Sequence, residues 1–160
     1  MIRHVLKSRI SFFALLLAPV LAFADNAAEK TDTPSEVLKK VVKATIKDRD
    51  YESAMALSHG DQKDFIRMMA RSMAYWQKAA AAGDAEAKAK LAGIEAKSAQ
   101  VTFEITSERI DGDLAVLTVK WKTDDKTKSG FAFFMKVDGA WKYISPEDYF
   151  KAVKARRGGK

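Results

Sequence analysis

The sequence predicts an α+β fold: N-terminal helices packed on a curved antiparallel sheet of about four strands, then a short C-terminal helix. Three observations carry that reading. Up to about residue 99, apolar residues recur at three- and four-residue steps, the helical period. Beyond it, apolar and polar residues alternate, as they do in strands. Asp111-Gly112 and Asp138-Gly139 fall between alternating runs, where a tight hairpin needs them.

Residues 1–24 read as a secretory leader. Arg3, Lys7 and Arg9 precede an apolar run over 10–21, and Ala22-Phe23-Ala24 is a small-x-small cleavage site before Asp25. The run is shorter than the roughly 20 residues that cross a bilayer, and it contains Pro19. With no Arg-Arg pair ahead of it, the general secretory route is expected. The expected organisation is a leader over 1–24, a flexible lead over 25–33, one domain over 34–155 and a basic tail over 156–160. The expected location is periplasmic.

Thr33-Pro34-Ser35-Glu36 opens the first helix as a capping box, with Pro34 in the first turn. Leu38, Val41, Val42, Thr45 and Ile46 form its apolar stripe. Residues 51–57 read as a second helix, with Ala54 and Leu57 inward and Gly60 as a left-handed stop. Asp61 is expected to cap a third helix, whose inward residues are Phe65, Met69, Ser72, Met73, Trp76 and Ala80. Gly83-Asp84 restarts an alanine-rich fourth helix. Val101, Phe103 and Ile105 then mark the first strand, and 114–121 reads as a central strand, apolar on both faces. Residues 123–130 read as a long charged loop, 131–137 and 140–144 as two further strands. Ser145-Pro146-Glu147-Asp148 starts the last helix.

Composition excludes several chemistries. There is no cysteine, so disulfides, thiol catalysis and thiolate metal sites are excluded. Once the leader is removed, His59 is the remaining histidine, too few for a metal site of the zinc or iron kind. No metal and no cofactor are expected. The leader holds three of the 28 basic residues and none of the 21 acidic ones; 25 against 21 leaves a net charge of +4. That excess without a basic, aromatic-interleaved stripe gives no case for nucleic acid.

Helices followed by an antiparallel meander resemble the nuclear transport factor 2-like superfamily, a cystatin-like cone, and in particular its small exported bacterial members of unknown function. The resemblance rests on 34-PSEVLKKVVKATIKDRDYESAMAL-57, 111-DGDLAVLTVKW-121 and 133-FFMKVDGAWKYI-144. It implies a cone-like domain. Lipid-anchored relatives begin with a cysteine that is absent here. Enzymatic branches place Asp, His or Tyr in the cone, and no such motif maps onto this chain.

The aromatic run 131–150 is the densest candidate surface. Phe131, Phe133, Met135 and Val137 share one strand face, expected to be the core wall under the helices or the lining of a pocket. Phe134 is expected on the opposite face, exposed as an interface. His59 is the one neutral-pH general base, near Asp61 and Tyr51, although a histidine beside a helix end commonly only caps it. Met68 lies off its helix stripe and is expected to line a cavity. No catalytic residue is assigned. The candidate ligand-binding residues are Tyr51, His59, Trp76, Trp121, Phe133 and Tyr143. The expected function is an exported, non-catalytic module that holds an apolar or amphipathic ligand in the cone or docks an envelope protein on the sheet, with homodimerisation through the sheet a further expectation. A small-molecule isomerase, dehydratase or hydrolase is the alternative. An envelope accessory or immunity protein is the third reading.

Overall fold

The computed structural model describes residues 31–123 and 126–158. The expected leader and most of the expected flexible lead lie outside them. Helix α1 spans Pro34–Val42 and opens on the capping box: the Thr33 side chain accepts from the Glu36 N–H, and the Glu36 carboxylate accepts from the Thr33 N–H at 2.7 Å. The chain then widens into a π-helical turn, Lys43–Asp48, which closes at Arg49 in the left-handed region (φ 55°). Helices α2 (Tyr51–Ala56), α3 (Gly60–Ala81) and α4 (Ala85–Gln100) follow. Strands β1 (Thr102–Asp111), β2 (Leu114–Thr123), β3 (Lys126–Val137) and β4 (Ala140–Ile144) form an antiparallel meander in the order β1-β2-β3-β4, and α5 (Pro146–Gly158) ends the described chain. The predicted α+β class, helices on a four-stranded sheet with a C-terminal helix, is what the chain adopts.

Two predicted elements change. Residues 126–130 belong to β3, not to a loop, because Lys120, Lys122 and Thr123 continue the ladder opposite Ser129, Thr127 and Lys126. A charged, two-faced polar stretch hides the alternation that marks a strand. In α3 the inward residues are Ile66 and Met73, with Met69, Trp76 and Ala80 half-buried. Phe65 (48% exposed) and Ser72 point outward, one position off the predicted stripe, and Met68 is 56% exposed.

The larger correction concerns the two faces of the sheet. Ala115, Leu117 and Val119 on β2 and Ala132 and Phe134 on β3 pack against Val37, Leu38, Val41 and Ile66 of α1 and α3. Phe134 is therefore the largest fully buried side chain, not an exposed interface residue. Phe131 and Phe133 face the other way, with Val116 and Thr118 as their β2 partners. The heavier set of aromatics misleads about parity. The helices cover the face that carries Phe134 together with small Ala115 and Ala132.

Helix α5 crosses that outer face. Its start is tied to α3: Asp148 Oδ2 accepts from the Asp61 N–H at 3.1 Å and from Ser145 Oγ at 3.0 Å, while the Asp148 N–H donates to Ser145 Oγ. Gly60, at φ +56°, is needed here, since a Cβ would sit 2.3 Å from Asp148 Oδ2. Thus Asp148, not Asp61, supplies the acceptor at the start of α3. The far end of α5 is tied to the β1–β2 turn, where Arg156 Nη1 donates to the Asp111 carbonyl at 2.9 Å and Arg156 Nη2 lies 3.7 Å from Asp113 Oδ2. Arg156 and Arg157, expected in a frayed tail, are helical. No residue of α5 is fully buried. It is a strap held at its two ends.

Candidate functional site

Two hollows lie on opposite faces of the sheet. The inner one sits between α1, α3 and the sheet and has a volume of about 130 Å³. Leu38, Ile66, Met69, Trp121 and Tyr143 are among its walls. Trp121 stacks on Phe103 (5.3 Å between ring centroids), and Tyr143 lies 5.4 Å from Phe134. Burial pushes the Tyr143 phenol above its ordinary value, because the phenolate loses its hydration there. The polar walls are Thr45, Gln62 and the Tyr143 phenol; neither a carboxylate nor an imidazole lines the space.

The outer groove lies between the sheet and α5 and measures about 470 Å³. Side chains of β1, β2 and β3 form its floor in cross-strand rows: Ser107 and Thr118 are paired, and Thr118 is paired with Phe131; Arg109 is paired with Val116, and Val116 with Phe133. A register shift between Ile105 and Ser107 turns Ser107, Arg109 and Asp111 onto this face. Tyr149, Phe150, Val153 and Arg157 of α5 form the roof and rim. Phe133 packs against Tyr149 (4.9 Å) and Phe150 (5.9 Å), and Phe131 lies 6.4 Å from Phe133. Phe131 and Phe150 remain 66% and 61% exposed, so the groove presents aromatic surface to whatever enters it.

Its electrostatics differ from those of the groove along α1. Along the α1 side, Lys40 and Lys43 are neutralised in place by Asp32 (2.5 Å) and Asp48 (3.2 Å). In the outer groove, neither Arg109 nor Arg157 has an ion-pair partner among the described residues. Asp111 is the carboxylate on the same wall, and Arg156 takes the Asp111 carbonyl rather than its side chain. Ser107 Oγ donates to Thr118 Oγ1 (2.9 Å), which leaves the Thr118 hydroxyl hydrogen for another acceptor.

No family model and no curated protein sequence matches the chain. One solved structure that is similar is an NTF2-like protein of unknown function from Cytophaga hutchinsonii, with 9% identity and a TM-score of 0.38, covering 76% of this chain and 98% of that one.

Of the six residues expected to bind ligand, the structure brings two together, Trp121 and Tyr143, in the inner hollow. Phe133 lies on the outer face. Tyr51 is half-buried against the helical side of the core. Trp76 lies near the far end of α3, where its ring meets Tyr75 edge-on and Lys90 Nζ sits 4.0 Å above it. His59 is exposed at the start of α3, makes no side-chain cap, and donates its backbone N–H to the Tyr143 carbonyl at 3.0 Å. Met68 lines neither hollow. The residues that sequence reasoning missed are Ser107, Arg109, Thr118, Val153 and Arg157. A signal for them exists: Tyr149, Val153 and Arg157 recur every four residues, which puts them on one helix face. The strand parity of Ser107 and Arg109 is hidden by the bulge. Among the described residues, no cluster of His, Asp or Glu is arranged to hold a metal, and no helix is long and apolar enough to cross a membrane.

Proposed function

We propose that this chain is an exported, non-catalytic binding module that holds a small apolar or amphipathic guest on the outer face of its sheet, beneath α5. The observation that carries the reading is the disparity between the hollows. The outer groove, at about 470 Å³, falls in the range of small-molecule sites, while the inner one, at about 130 Å³, lies well below it. The exposed rings of Phe131 and Phe150 supply the apolar area that such a guest would bury. Export rests on the leader read over residues 1–24. The binding reading is favoured over an enzyme because the outer groove has no histidine and one carboxylate, Asp111, with no second acid or base beside it, and His59 lies away from both hollows.

Native mass spectrometry of the intact protein purified from the periplasm tests this. A retained small molecule is expected, lost when Phe131 and Phe150 are both replaced by Ser and kept in Tyr143→Phe. A guest that survives the double replacement, or a bound protein in place of a small molecule, would refute the reading.

A further inference from the structure

We infer that the guest is a monoanionic amphiphile whose carboxylate is held by Arg109 and Arg157 while its apolar body lies on Phe131, Tyr149 and Phe150. This rests on the groove reading above and adds the chemistry of the head group. Arg109 and Arg157 both line the groove, one from the floor and one from the rim, and neither is paired with a carboxylate among the described residues. Two arginines against Asp111 leave the wall with one net positive charge, which matches a single anion better than a dianion. A guanidinium presents a planar fork of donors that fits a carboxylate with two parallel hydrogen bonds. The Thr118 hydroxyl, already accepting from Ser107, has its own hydrogen to donate toward the same end. The apolar rings lie beside this polar wall, so a molecule with one charged end and one greasy end satisfies both. A neutral guest would gain no ion-paired hydrogen bond from the two exposed arginines.

The test is calorimetric titration of the intact protein with decanoate and with decanamide, which share a chain and differ in charge. Decanoate is expected to bind about tenfold more tightly, as a charge-assisted pair implies. Arg109→Gln and Arg157→Gln, both at exposed positions, are each expected to weaken decanoate more than decanamide and so to reduce that preference. Replacing Phe131 and Phe150 by Ser is expected to weaken both probes alike. Equal affinity for the two probes, with dependence on the phenylalanines retained, overturns the head-group assignment and leaves the groove standing. If neither probe binds, the groove and the head group fall together. If decyl phosphate binds more tightly than decanoate in an arginine-dependent way, the carboxylate assignment is wrong.

Discussion

Phe134 and Phe131 stand three positions apart in β3 and carry opposite burdens. Phe134 is wholly buried against α1 and α3, so Phe134→Ala is expected to cost about 3–5 kcal/mol of unfolding free energy. Phe131 is 66% exposed, so Phe131→Ala is expected to change stability by no more than about 0.5 kcal/mol while weakening guest binding. Chemical denaturation of the two variants side by side checks the assignment of faces; equal losses would contradict it. Tyr143 supplies a second test at this scale. Burial holds its phenol above the usual value, so the neutral ring contributes stability that is fully present below the unfolded pKa of about 10 and is lost as pH rises through the folded pKa. In an alkaline absorbance titration one of the four tyrosines should ionise late, and Tyr143→Phe should remove that late step.

At the scale of elements, the joint between α3 and α5 is the most informative. Asp148 closes the first turn of its own helix with Ser145 and also accepts from the start of α3, 87 residues away in sequence. Asp148→Ala should therefore weaken two helix starts at once. We expect a loss of about 1–2 kcal/mol and earlier proteolytic cleavage near Pro146, read by limited digestion. Local chemistry of this kind is partly legible in one dimension. The Thr33 box and the Asp111-Gly112 and Asp138-Gly139 turns all follow from short-range signals, with Gly112, Asp138 and Gly139 at φ 58°, 51° and 79°. The acceptor for Asp61 is not legible, because its partner comes from another helix. Nor is the continuation of β3 through Lys126 and Thr127, where pairing with β2, rather than side-chain pattern, makes the strand.

At the scale of the whole molecule, the decision about which sheet face the helices cover was hidden from the sequence. Both faces of β2 are apolar, so its pattern alone permits either assignment. The choice depends on how Ala115, Ala132 and Phe134 fill one core with residues of α1 and α3, a matter of volumes in three dimensions. It leaves the larger of the two hollows outside the helix–sheet sandwich rather than within it. Ending the chain after Ile144 tests this arrangement. Since α5 contributes no fully buried residue, the truncated chain should keep its sheet signal in circular dichroism, lose guest binding, and bind an apolar dye at the uncovered Phe131 and Phe133. Collapse of the whole fold on truncation would show that α5 is structural rather than a cover.

The strap is fastened by charge and hydrogen bonding at both ends and by aromatic rings at its middle. Dissolved electrolytes should act on these parts in opposite senses. A screening salt loosens the Arg156–Asp113 clasp, whereas an excluded salt such as sulfate presses the rings together. Opening of the groove would then depend on which ions surround the protein as well as on how many, a sensitivity written into a single thirteen-residue helix.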